Sequence, residues 1–193
     1  DKRPQIHDLR PMLQGAADGV DQGQGCALKC RFSVEKLLFL DESHVLSADN
    51  SGMIQCWHVG EPNPIWEFDH GKACERSPGQ PRYGSAQRGA YALALSRSRR
   101  YLACSGRGVH RGISMWDLSG SSPTLLHVLH GHERGVHFLV FRDDDRHLVS
   151  ARWDETVVMW DWRAGERLLL RPIPQLSAVL DLTEGDRLAV GTG

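Results

Sequence analysis

The chain repeats itself, and that repetition limits the folds open to it more than any other feature does. Phe39, Leu95 and Phe141 are each followed seven positions later by a leucine: Leu46, Leu102 and Leu148. Each leucine leads in turn to a tryptophan, Trp57, Trp116 or Trp160, after eleven, fourteen or twelve positions. Self-similarity on this scale means a row of supersecondary units, each burying its apolar side against the next. The segments between anchors are short and rich in β-branched and aromatic residues, as in Val136-His137-Phe138-Leu139-Val140-Phe141 and Thr156-Val157-Val158-Met159-Trp160. That is strand chemistry. Polar turns divide them, such as Arg142 to Arg146 and Arg152 to Glu155. No stretch of ten or more residues carries the 3.6-residue apolar period of a helix. Further strands follow each tryptophan at Ile65 to Phe68, Leu125 to Leu129 and Arg167 to Leu170, so each unit is predicted to hold four strands.

Four short strands per unit, with Trp116 and Trp160 forty-four positions apart, resemble the WD-repeat (WD40) β-propellers. The likeness is sharpest between Gly131-His132 and Trp160-Asp161, the two signature pairs of one unit; Trp116-Asp117 repeats the second pair, and Trp57-His58 departs from it. The resemblance implies an all-β fold, a partial β-propeller of radially arranged four-stranded antiparallel blades. About three and a half blades are expected, near 26–68, 69–129, 131–171 and 173–193. Ser177 to Leu182 and Arg187 to Val190 read as the first two strands of the last. Because propellers of this family usually have seven blades, the sequence is expected to be a segment of a longer chain. Residues 1–25, with Gly15, Gly19, Gly23 and Gly25, read as a linker or the end of a preceding blade.

The same resemblance implies that His132, Ser150, Asp154 and Trp160 form the hydrogen-bonded set that fastens a blade's loop to its strands. A buried imidazole, hydroxyl and indole N–H each need partners, and Asp154 is placed to accept from His132. The role is structural rather than a catalytic Ser-His-Asp arrangement, since nothing in the pattern exposes the serine beside an oxyanion site. The second unit places Cys104 and His110 at the positions of Ser150 and Asp154, so its network is expected to be incomplete. It opens on Asp69-His70, and the first unit has Ser51 where the aspartate would stand.

Other chemistry is weak. Cys26 and Cys30 begin no zinc-site spacing, and the five cysteines form an odd set that favours a reducing compartment, hence a cytoplasmic protein. His127, His130 and His132 lie close together, but His132 has its blade role and His127 an apolar strand, so no metal or other cofactor is expected. Gly106-Arg107-Gly108 with Gly112 has the last glycine one position late for a phosphate loop, and a strand follows where a helix is needed. Asp143, Asp144 and Asp145 read as a solvated charge run in a hairpin turn rather than a calcium site. Trp153 and Trp162 read as partly exposed aromatics near turns, serving either as binding anchors or as packing between blades.

A propeller blade has no chemistry of its own, so function must sit on loops. The interval from Trp57 to Trp116 is the longest, and its excess at 71–89 reads as an exposed, mobile loop. Net charge is −1, which gives no global attraction to nucleic acid or membranes, yet between Lys72 and Arg111 nine cations face one acid, Glu75. Lys72, Arg76, Arg82, Arg88, Arg107, His110 and Arg111 are expected on one face, with Arg97, Arg99 and Arg100 on the other. The first group is a candidate anion-binding patch for an acidic peptide, a phosphorylated segment or a nucleic-acid backbone, against the alternative of a solvated loop. The function read from this is a non-catalytic scaffold for a protein or peptide partner, with nucleic acid and membranes disfavoured. The alternative is a regulatory or targeting propeller attached to an enzyme elsewhere in a longer chain.

Overall fold

Three antiparallel sheets of four strands follow one another along the chain, each built from consecutive strands. The computed structural model describes residues 5–6, 26–28, 30–75, 89–106, 112–132, 135–151, 155–173, 176–182 and 188–192, and a few of these as backbone only. The first sheet contains β3 (Val34–Phe39), β4 (His44–Asp49), β5 (Met53–His58) and β6 (Pro64–Asp69). The second contains β7 (Ala90–Leu95), β8 (Tyr101–Gly106), β9 (Ile113–Asp117) and β10 (Thr124–Leu129), and the third β11 (Phe138–Phe141), β12 (His147–Ala151), β13 (Thr156–Asp161) and β14 (Glu166–Pro172). Two-stranded pairs flank them, β1 (Gln5–Ile6) with β2 (Cys26–Ala27), and β15 (Leu176–Leu182) with β16 (Leu188–Thr192).

The core lies between sheets. Leu46, Ile54 and Cys56 of the first sheet pack with Leu93, Leu102 and Trp116 of the second. Tyr101, Ile113 and Met115 of the second pack with Leu148, Val158 and Trp160 of the third. Strands β4, β8 and β12 are therefore buried on both faces, which explains their near-continuous apolar runs. Each fully buried leucine in these seams, Leu102 and Leu148 among them, contributes about 1.5–3 kcal/mol. Aromatic contacts cross both seams: Phe68 stacks on Trp116 at 3.8 Å between ring centroids, and Tyr101 meets Trp162 at 4.9 Å. Radial sheets with a shared core between neighbours are a partial β-propeller.

Register corrects one reading of the repeat. Leu102 pairs with Trp116 and Leu148 with Trp160, but Trp57 pairs with Val45 rather than Leu46. The first hairpin is one residue shorter, since Phe39 pairs with Val45 whereas Phe141 pairs with Leu148. Leu46 is thus the counterpart of Ala103 and Val149. The outer strands agree among themselves: each ladder is interrupted beside the tryptophan, leaving Ile65, Leu126 and Leu168 as the bulged, exposed residue.

A second correction concerns the long interval. His70–Glu75 forms a short helix, α1, instead of opening an exposed loop. Asp69 caps it by accepting the amide of Lys72 at 2.9 Å, and His70, Gly71, Ala73 and Cys74 are buried. Residues 76–88 lie outside the described part.

Candidate functional site

The third sheet shows how its signature residues are used. Ser150 on β12 is fully buried; the Trp160 indole N–H donates to its hydroxyl at 2.7 Å, and His132 Nε2 lies 2.6 Å from the same oxygen. His132, Ser150 and Trp160 therefore meet at one hydroxyl, while Asp154 lies outside the described residues.

In the second sheet the expected gap is filled from another strand. Cys104 occupies the place of Ser150, but its partner across the ladder is Ser114, two residues before the tryptophan. The Trp116 indole donates to Ser114 Oγ at 2.8 Å, and His70 Nδ1 lies 2.7 Å from that oxygen. The hydroxyl has moved across one strand pair while indole and imidazole keep their places. Cys104 bonds to the same serine, and burial pushes its thiol well above the usual range. Ser114 thus supplies the hydroxyl that Cys104 lacks, and His110, at the position of the aspartate, lies outside the described residues.

The first sheet solves the problem a third way. Trp57 donates to Ser47 at 2.8 Å, and Cys30 hydrogen-bonds to Ser47. Cys30 precedes Phe39 by nine positions, as His132 precedes Phe141, so it stands at the histidine position. Burial, and next the charge of Asp49, raise its thiol pKa. Asp49, buried at the end of β4, accepts from the amide and hydroxyl of Ser51 and the amide of Met53. A carboxylate therefore still fastens this turn, two residues earlier in the chain.

The opposite ends of the sheets are tied by charge. Arg100 donates to Asp117 and Arg146 to Asp161, each joining the start of a second strand to the aspartate of the Trp-Asp pair. The guanidiniums hold both carboxyls below the usual range, Asp117 strongly so. The hairpin turn after β7 grips both neighbours: Arg99 donates to the carbonyls of Phe39 and Leu40, Arg97 pairs with Asp143 at 3.0 Å, and the Ser98 amide donates to Asp145 at 3.3 Å. Asp144 takes Arg142 and His147. The triple aspartate is therefore paired across and within turns rather than simply solvated.

Of the candidate anion-binding group, Lys72 is exposed on α1 with its ammonium 3.7 Å from Asp69. Arg76, Arg82, Arg88, Arg107, His110 and Arg111 lie outside the described residues, as does Trp153. Trp162 corrects an expectation, because it is 2% exposed, packs on Tyr101 and donates to the Asp145 carbonyl. Gly106 and Gly112 have packing reasons: a Cβ at Gly106 would stand 2.8 Å from the Gly89 carbonyl, and one at Gly112 would stand 2.6 Å from Val128. Among the described residues no three His, Cys, Asp or Glu side chains gather as a metal site.

An indole, a hydroxyl and a third polar group at the same point of each sheet, with cores in the seams, define a repeat protein of the propeller class. The profile of the WD domain, G-beta repeat matches residues 123–161. Over 84 residues the chain is 39% identical to the periodic tryptophan protein 2 homolog of Mus musculus, covering 42% of this chain and 9% of that protein. Among solved structures, that of U3-55K has a TM-score of 0.60 at 22% identity, covering 79% of this chain and 42% of its own. The RRP9 WD40 repeats give a TM-score of 0.62 at 20% identity, covering 85% and 52%. The fold is therefore that of the WD40 propellers, residues 123–161 match the WD40 repeat itself, and the chain spans only part of the length of these relatives. Propellers of this family are in general non-catalytic scaffolds.

Proposed function

We propose that this segment is a non-catalytic scaffold that binds a protein partner through loops on one propeller face. One observation carries the reading. Both serine–histidine pairs have nucleophile-like spacing, yet Ser114 and Ser150 are fully buried and each already receives an indole N–H. A hydroxyl so buried has no access to substrate, whatever base lies beside it. The polar residues most suggestive of catalysis are spent on holding loops, which leaves recognition to the loops they hold. The partner suited to the basic interval is an acidic or phosphorylated protein segment, engaged by Arg76, Arg82, Arg88, Arg107, His110 and Arg111 together with Lys72. Among the described residues four cysteines carry free thiols, three of them buried, in keeping with a reducing, cytoplasmic-type compartment.

The test is replacement of Arg76, Arg82, Arg107 and Arg111 by alanine, with affinity for a phosphorylated acidic peptide measured at two salt concentrations. The proposal expects weaker binding and a shallower salt dependence. Unchanged affinity and salt slope would remove it.

A further inference from the structure

The two inter-sheet seams differ at the rim. Opposite the signature tryptophan the outer strand carries Pro64, Leu125 or Arg167 in successive sheets. In the third sheet Arg167 lies back beside Trp160: a Cβ on Gly131 would stand 3.9 Å from the Arg167 Nη1 and 3.2 Å from the indole Cη2. Arg167 Nη1 and the Trp160 indole thus both lie close to Gly131. Leu125 has no arm of that length, and beside Trp116 a groove of about 580 Å³ opens. Its floor is the stacked pair Phe68 and Trp116, its wall includes Leu125, and its lip carries Glu67, Asp69 and Lys72.

We infer that this rim groove between the first and second sheets receives an arginine side chain from a partner protein. The third sheet has the chain's own arginine at the corresponding place on its outer strand, paired across the ladder with its tryptophan. Two carboxylates against one ammonium leave the lip net negative, and a planar cation suits both those carboxylates and an aromatic floor. The volume falls in the range of ligand sites. Lys72 is 64% exposed and sits 3.7 Å from Asp69, so an incoming guanidinium displaces it at little cost. This site shares Lys72 with the basic-loop reading but takes the opposite charge, and the two are tested by different variants, so each survives failure of the other.

The test titrates the 193-residue chain with N-acetyl-arginine amide and its neutral isostere N-acetyl-citrulline amide, following the Trp116 indole resonance with that of Trp57 as internal control. A saturable shift with the arginine compound alone is expected, with a dissociation constant on the order of millimolar for one side chain. Leu125→Arg supplies the arm from within and is expected to abolish the shift while the Trp57 and Trp160 resonances stay in place. The pair Glu67→Gln and Asp69→Asn, which leaves the apolar wall intact, is expected to weaken binding about fivefold. Lys72→Ala is expected to tighten it about twofold. Equal shifts with citrulline, or a shift that persists in Leu125→Arg and in the Glu67→Gln, Asp69→Asn pair, would overturn the proposal.

Discussion

Replacing Ser114 by valine removes the acceptor of the Trp116 indole and the contact of His70 in one step, while copying the residue, Val158, that the third sheet has there. A buried donor stripped of its partner costs about 1–3 kcal/mol, and loss of the imidazole contact adds about 1 kcal/mol. The extra apolar bulk of valine returns about 1 kcal/mol. The net expectation is a loss of about 1–3 kcal/mol, a large part of the stability of a domain this size. The informative companion is Cys104→Ser, which places a hydroxyl where Ser150 has it. Alone it should be nearly neutral, because the indole already has an acceptor. Combined with Ser114→Val it should recover most of the loss, giving a coupling of about 1–2 kcal/mol in a double-mutant cycle. Urea unfolding followed by tryptophan fluorescence and circular dichroism measures all four corners. A Ser114→Val cost below about 0.5 kcal/mol, or a double variant no better than Ser114→Val alone, would refute the idea that the hydroxyl has crossed the strand pair.

Gly106→Ala should destabilise by about 1–3 kcal/mol, read by the same unfolding assay, because its methyl would meet the Gly89 carbonyl at 2.8 Å. Arg99→Ala should cost about 0.5–1.5 kcal/mol and speed amide exchange around Leu40, since it frees two carbonyls of the neighbouring sheet. Burial opposes ionisation of Asp144, but hydrogen bonds from His147, its amide and that of Arg146 prevail and hold the carboxyl down at about 2. An unfolded aspartate titrates near ~3.9, so this group's contribution is complete above that pH and is lost as pH falls towards about 2. Asp144→Asn should flatten acid unfolding over that window, measured by unfolding at stepped pH.

Strands were legible because their chemistry is local: Thr156 to Trp160 reads as a strand wherever it occurs. The set of His132, Ser150 and Trp160 was legible because its spacing follows the family pattern. Ser114 was not, because its role depends on which residue it faces across the ladder, and a single chain read linearly does not show that Cys104 is its partner. Trp162 looked exposed beside a turn; the tyrosine that buries it belongs to the neighbouring sheet. Helix α1 is too short for a periodic signal, and its one local cue was Asp69 ahead of Lys72, a cap that also fits a turn. Cys30 has a signal of the same linear kind: its distance from Phe39 places it where the third sheet has His132.

Side-by-side sheets sharing cores in their seams underlie every role assigned above. Nuclear Overhauser contacts between ring protons of Phe68 and Trp116 and of Tyr101 and Trp162 report those seams directly. The structure predicts both sets, from centroids 3.8 Å and 4.9 Å apart. Contacts confined within each sheet, with none across either seam, would contradict the propeller arrangement.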